Sequence, residues 1–404
     1  MNKKIALMIG ALNSGGAERV VAHLSHALEK QYDVHLILFE DSMVEYDCGG
    51  TLHNLNIPAK SGNPIVKIGL LKKRVSALKK LIRDEKIECV ISFLDSPNFV
   101  NLLTRAKGCR KIISIRNYSS LENKQNYLHR MTDKAMKYLY RRADAVVTVS
   151  RLIEEDFRKH YHIPSDKIRT IYNPYNFEDI HQKGEEDLTE AEHLFFDNHF
   201  VFCNVGRVMY QKGIWHLIKA FAAVHKSNPE TGLVIVGEDL SHGCLTDLID
   251  MLGIKDSVLL TGRTRNPYKY MKNSECYVLS SLFEGFPNAM VEAMACGCPI
   301  IAADCKSGPR EILYKNPDLS ASIEEITCAD YGVIIPDLEH EETWSADLLS
   351  EGDKTLVTAM LSMIGDEIER KTLSELAMQR SHDFDLSTCC RLFADVIEKK
   401  EDLI

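Results

Sequence analysis

Short apolar runs alternate with amphipathic stretches along the whole chain, the pattern of β–α–β units in parallel sheets. In the first half, Lys4–Ile9, Val34–Phe39, Cys89–Phe93, Lys111–Ile115 and Ala145–Val149 read as buried strands. Ala17–Lys30, Val66–Glu85 and Gln125–Arg142 read as the helices between them. A second series runs Val201–Val205, Leu233–Val236, Val258–Leu260, Cys276–Leu279, Pro299–Ala303 and Val333–Ile335. The polar, acidic stretch from Asn173 to Asn198, with Pro174 and Gly184, separates the two series. The pattern predicts two Rossmann-like α/β domains, at 1–180 and 199–385, joined by a linker at 181–198. A last helix within 386–404, Ser387–Lys400, is placed to pack back on the first domain. Ligands of open α/β sheets bind outside the carboxyl ends of the strands, so two such domains are expected to face each other across a cleft.

Charge changes this picture. The net charge of −9 hides a split: residues 1–184 carry 30 Lys and Arg against 20 Asp and Glu, and residues 185–404 carry 19 against 38. Most of the basic excess lies in residues 51–150, with 20 basic against 7 acidic. One half is therefore expected to face an anionic partner. No zinc finger, basic arm or RNA-binding aromatic signature accompanies the charge, which argues against nucleic acid. No apolar run approaches the roughly 20 residues that span a bilayer. Met1-Asn-Lys-Lys followed by an apolar run imitates a signal peptide, but it lacks a small-residue cleavage site and reads as a first strand. The 12 cysteines form no C-x-x-C pair and read as free thiols of a reducing, cytoplasmic compartment.

Three stretches carry candidate chemistry. Ser280–Leu313 holds Glu284 and Glu292 around a Gly-Phe-Pro-Asn turn that opens a helix. Helix N-termini present unpaired N–H groups and partial positive charge, which suit a phosphate. A carboxylate on either side then suits a ligand with hydroxyls at both ends, such as a nucleotide sugar. Asn204–Gly213 follows the first strand of the second series and places Arg207 and Lys212 in a strand-to-helix loop, where two cations can neutralise a diphosphate. Asn13–Arg19 follows the first strand of the chain, and Gly15 and Gly16 there allow close approach of a phosphate. It is neither G-x-G-x-x-G nor a P-loop. Taken singly, each stretch also reads as ordinary loop or helix-cap chemistry. The two cations and two glutamates at strand ends of one sheet favour a site.

With GGAER near the N-terminus, GR-x4-KG at 206–213, FEGFPNAMVEAMACGCPIIAAD at 283–304 and the following SGPREIL, the chain resembles the GT-B glycosyltransferases of glycosyltransferase family 4. It is similar in particular to bacterial members that build surface or glycoprotein glycans on polyprenyl diphosphate. The resemblance implies a retaining enzyme that needs neither cofactor nor metal and takes a UDP-sugar as substrate. It implies that Arg207 and Lys212 hold the donor diphosphate and that Glu284 contacts donor-sugar hydroxyls; these three are the candidate catalytic residues. The backbone of Gly285, Phe286, Pro287 and Asn288 would meet sugar and phosphate, Glu292 the ribose, and Gly15 and Gly16 the phosphates from the opposite domain. Many members carry a histidine after the fifth strand. This chain has Arg116 and Asn117 there, so the acceptor proton is expected to go to the leaving phosphate. Asp95, after the fourth strand, is a second candidate for orienting the acceptor.

The basic stretch Ile65–Lys86 has apolar positions at 68, 71, 75, 78 and 82, with Lys67, Lys72, Lys73, Arg74, Lys79, Lys80 and Arg83 elsewhere. It reads as contact with an anionic membrane surface or a lipid diphosphate, extended by Arg130, Lys134, Lys137, Arg141 and Arg142. The expected enzyme sits peripherally on the inner face of the cell membrane and transfers a hexose or N-acetylhexosamine to a lipid-linked saccharide. Two rivals are a GT-B nucleotide-sugar epimerase, which needs a His and Glu cluster not evident here, and a non-catalytic subunit that binds sugar nucleotide or lipid. The single D-x-D, Asp383-Phe-Asp385, is remote from any strand end and reads as a helix terminus.

Overall fold

The computed structural model describes residues 2–13, 15–41, 44–58, 64–118 and 127–399. The first two residues of the predicted helix Gln125–Arg142, and Lys400 at the end of the last one, lie outside them. The chain divides into two compact units: Met1–Tyr175 together with Phe384–Ile404, and Asn176–Asp383.

In the first unit the strands β1 (Lys4–Ile9), β2 (Asp33–Leu38), β3 (Thr51–Asn54), β4 (Cys89–Phe93), β5 (Arg110–Ile115), β6 (Ala145–Thr148) and β7 (Ile168–Thr170) form one sheet in the order β3-β2-β1-β4-β5-β6-β7. All pairs are parallel. Helices cover both faces of such a sheet, which explains the nearly unbroken apolar runs. Ile5, Leu7 and Ile9 point to one core and Ala6 and Met8 to the other. The final helix, Leu386–Glu398, closes the first of these cores: Cys389, Cys390, Phe393, Val396 and Ile397 pack with Val20, Val21, Leu24 and Leu28 of the helix Gly16–Leu28.

In the second unit β8 (Phe200–Val205), β9 (Thr231–Val236), β10 (Val258–Gly262), β11 (Cys276–Leu279), β12 (Ile300–Ala303), β13 (Thr327–Ala329) and β14 (Gly332–Ile335) lie in the order β10-β9-β8-β11-β12-β14-β13. Only β13 is antiparallel, as a hairpin partner of β14. The short, half-exposed strands β3, β7 and β13 have too few apolar residues to be read from pattern.

The stretch expected to be a linker is helical and belongs to the second unit. Phe177–Gly184 is capped by the Asn176 side chain, and Glu190–Asn198 opens with a capping box of Thr189 and Glu192. Ile180, Leu188 and Phe196 are buried, His181 bonds to Ala295 O at 3.0 Å, and Lys269 pairs with Glu192 at 3.2 Å. The polar residues that suggested a linker are the outer faces of these helices. The units accordingly divide at 175/176 and 383/384 rather than at 180 and 385.

Candidate functional site

Three loops at the carboxyl ends of β8, β11 and β12 are laced into one structure. After β8 the chain runs through Gly206 and Arg207 to a single 3-10 turn, Tyr210–Lys212, and then Gly213. Gly213 has φ +55°, and a Cβ there would lie 2.3 Å from Ser280 O. Only glycine satisfies both demands. The loop after β11 lies against it: Leu282 N donates to Gln211 O at 2.9 Å, and Ser280 Oγ donates to Lys212 O at 2.9 Å.

This contact brings Lys212 Nζ to 2.6 Å from Glu284 Oε1. Ser281 Oγ donates to the same oxygen at 2.8 Å, and Gln211 Nε2 reaches the other at 3.4 Å. The Glu284 side chain is 8% exposed and that of Lys212 20%. A carboxylate so placed loses its hydration, and the ion pair with two further donors offsets that loss. Arg207 is exposed and has no ion pair or side-chain hydrogen bond among the described residues.

The loop after β12 braces the other side of Glu284. Glu284 N donates to Lys306 O at 2.7 Å, Ser307 N donates to Glu284 O at 2.9 Å, and Ser307 Oγ donates to Gly285 O at 2.8 Å. Gly308, at φ +107°, leaves room for Pro287, whose Cδ would lie 2.4 Å from a Cβ. Pro287 then caps the helix Asn288–Ala295 without a side-chain cap bond. Glu292 stands in the second turn of that helix, 2% exposed. Beneath the site, the Tyr277 hydroxyl is raised well above its ordinary pKa by burial, with Cys203, Glu284 and Glu292 adding to the effect. Arg207, Lys212, Glu284, Gly285–Asn288 and Glu292 thus share one end of one sheet. Ser281, Gln211 and Ser307, which hold Glu284, carried no sequence signal beyond adjacency to the motifs.

The remaining candidates lie in the first unit. Gly15 caps the helix Gly16–Leu28, and the Glu18 carboxylate occupies the space where a Cβ on Gly15 would sit. Asp95 is half-buried at the start of the helix Asp95–Leu103 and accepts from Tyr140 Oη at 2.8 Å. Burial raises its pKa, and the Tyr140 hydrogen bond opposes the shift. Arg116 is buried and Asn117 exposed. On the helix Pro64–Glu85, Lys72, Lys73 and Lys79 are exposed as expected of a basic face. Two of its residues differ from the pattern. Ile68, one of the apolar positions, is 56% exposed. Arg74, read as part of the basic face, is buried: its guanidinium lies 3.9 Å from the Phe39 ring centroid and donates to Ile57 O and Ser96 Oγ. Of the D-x-D, Asp383 accepts from Arg380 Nη1 at 2.6 Å and Asp385 caps the last helix. Among the described residues no group of three or more His, Cys, Asp or Glu is placed to hold a metal ion. Among them, too, no helix is long and apolar enough to cross a membrane.

Comparison with known proteins follows this division. The family model described as "Glycosyltransferase Family 4" matches residues 14–179, and that described as "Glycosyl transferases group 1" matches 185–318. An uncharacterised glycosyltransferase of Methanocaldococcus jannaschii is 32% identical over 351 residues, covering 84% of this chain and 86% of that protein. The N-acetylgalactosamine-N,N'-diacetylbacillosaminyl-diphospho-undecaprenol 4-alpha-N-acetylgalactosaminyltransferase of Campylobacter jejuni is 34% identical, covering 77% of this chain and 83% of that one. Among solved structures, Anabaena HepE in complex with UDP and glucose superposes with a TM-score of 0.75 at 17% identity, covering 98% of this chain and 100% of HepE. At that identity the likeness speaks for the fold alone, which is GT-B.

Proposed function

We propose, from the premise that this chain belongs to glycosyltransferase family 4, that it moves a hexose or N-acetylhexosamine from a UDP-sugar to a polyprenyl-diphosphate-linked saccharide with retention of configuration. The observation that carries the donor half of this reading is the Lys212–Glu284 pair at 2.6 Å beside an unengaged Arg207. The acceptor class is supported by relatives whose names specify undecaprenol-linked acceptors, the Campylobacter enzyme above and an Escherichia coli galactosyltransferase that is 26% identical.

In the proposed reaction the bond between the sugar's anomeric carbon and the diphosphate breaks, and a bond to the acceptor hydroxyl oxygen forms on the same face. The hydroxyl proton passes to the departing phosphate oxygen. Negative charge grows on the leaving diphosphate. Arg207, Lys212 and the start of the helix Asn288–Ala295 meet it without any metal. Glu284 accepts hydrogen bonds from donor-sugar hydroxyls and Glu292 from the ribose. Asp95 and Asn117 are assigned to orienting the acceptor.

The first unit is proposed to rest on an anionic membrane surface on the cytoplasmic side. Val66 and Ile68 are exposed beside Lys67, Lys72 and Lys73, and Met131 and Tyr138 beside Lys134, Arg141 and Arg142. Each basic residue near such a surface contributes about 1 kcal/mol.

Purified protein is to be incubated with a panel of nucleotide sugars and a lipid-linked acceptor, with UDP release and the anomeric configuration of the product measured, with and without chelator. UDP release that is acceptor-dependent, chelator-insensitive and abolished by Glu284→Ala is the expected result. No release from any nucleotide sugar would sink the reading in favour of a non-catalytic binding subunit.

A further inference from the structure

Arg116 follows β5 directly and is 9% exposed. Its guanidinium lies 5.2 Å from the Phe93 ring centroid, and Nη1 donates to Asn173 Oδ1. Nε and Nη2 are buried with no hydrogen-bond partner. Those two nitrogens form one side of the guanidinium fork, the side that meets two oxygens of a phosphoryl or carboxylate group at once. No carboxylate pairs with Arg116 among the described residues; the titratable groups beside it are Cys389, whose thiol burial keeps protonated, and Tyr175. Burial lowers its pKa to about 10, so it stays protonated near neutral pH.

Arg74 shows what a purely structural buried arginine looks like in this same unit. Its Nε and Nη2 both donate to Ile57 O, at 3.0 and 2.8 Å, and Nη1 donates to Ser96 Oγ at 3.3 Å. Arg116 instead keeps a whole donor edge unused inside the fold. A buried charge without a counter-charge is strongly unfavourable, and a methionine of similar length would fill the same space. The edge is also well placed: it stands at the carboxyl end of β5, and Asn173 follows β7, the end of a parallel sheet where ligands bind.

We propose that Arg116 is the receptor for a diphosphate oxyanion, its Nε–Nη2 edge taking two oxygens of one phosphoryl group. Both atoms are covered, so engaging an oxyanion requires the guanidinium to turn out from beside Phe93. The inference rests on the reading that sugar moves from a nucleoside diphosphate to a saccharide carried on a lipid diphosphate. Two sources share this chemistry, the nucleotide of the donor and the lipid diphosphate of the acceptor.

The test uses full-length protein labelled with 15N at arginine Nε, titrated with UDP and, separately, with a short-chain isoprenoid diphosphate. Arg116→Met assigns the signal. A downfield shift of the Arg116 Nε–H with UDP alone identifies the donor nucleotide as the ligand. A shift with the isoprenoid diphosphate alone identifies the acceptor. Arg116→Met is expected to melt at or above the wild-type temperature without ligand, yet to bind the active probe at least ~10-fold more weakly, the scale of one charge-assisted bidentate contact. If both probes raise the melting temperature while the Arg116 signal stays put, or Arg116→Met keeps wild-type affinity, the proposal is overturned and the transferase reading stands. If neither probe raises the melting temperature, that reading fails and the proposal with it. Should Arg116→Met not fold, Arg116→Lys, which keeps the charge, assigns the signal and the titration of the wild-type protein decides.

Discussion

Lys212 and Arg207 sit five positions apart in one loop, yet the structure gives them different energetic roles. Lys212 is committed to Glu284. Removing it leaves a buried carboxylate held only by Ser281 and Gln211. Lys212→Ala is therefore expected to lower stability by about 1–3 kcal/mol as well as activity, by about 10²–10³-fold in kcat/KM. Arg207 is exposed and holds nothing in place. Arg207→Ala should leave the denaturation midpoint within about 0.5 kcal/mol of wild type while lowering kcat/KM by a similar factor. Urea unfolding beside steady-state kinetics separates the two roles. Equal stability of both variants would contradict the committed ion pair.

At the scale of elements, the loops that carry the site are specified by backbone geometry. Gly213 needs both a left-handed φ and closeness to Ser280 O, whereas Gly253 has φ +66° with nothing within 4 Å of a Cβ. Gly253→Ala should cost about 1 kcal/mol, the strain of that backbone region alone. Gly213→Ala should cost ~2 kcal/mol or more and also depress turnover, because it moves the loop bearing Lys212. Comparable losses in melting temperature for the two would show that the close approach does not matter. A second element-level feature lies at the edge of the first sheet. His35 Nδ1 and His53 Nε2 are 2.8 Å apart across β2 and β3. Burial lowers both pKa values, and for His53 the neighbouring His35 adds to it. Both rings are neutral in the folded state above pH ~6.5, the unfolded value. As pH falls below it the unfolded chain takes up protons first, so stability is lost from there down through the folded pKa values. His53→Gln should flatten that part of the stability–pH curve measured by urea titration; an unchanged slope would show that the pair does not titrate in this window.

Two predictions belong to the whole molecule. The last helix supplies Phe393, Val396 and Ile397 to the core of the first unit, so a chain ending at Asp383 should lose cooperative unfolding of the first unit while 176–383 stays protected from protease. Rapid digestion of both units alike would refute this. The basic face with exposed Val66 and Ile68 should give co-sedimentation with anionic but not zwitterionic vesicles, weakened by Lys72→Glu with Lys73→Glu. Equal binding to both vesicle types would remove the electrostatic argument.

The longer buried strands and the helices between them, the fold class and the motifs GR-x4-KG and E-x7-E were legible because each depends on residues close in sequence. Apolar runs mark strands buried on both faces, and GR-x4-KG and E-x7-E lie within single loop-to-helix passages. Only the tertiary structure decided which side chains meet. Lys212 reaches Glu284 over 72 residues, Asp95 finds Tyr140 over 45, and Arg74 turns inward to Ile57 while lysines on the same helix stay outside. The polar stretch 181–198 resembled a linker because half-buried helices expose mostly polar residues, and the few buried ones are too sparse to announce a core. Periodicity records whether a residue is buried. Which partner it is buried against is set by strand order and loop packing, and those emerge only when the distant strands β8, β11 and β12 come to lie side by side.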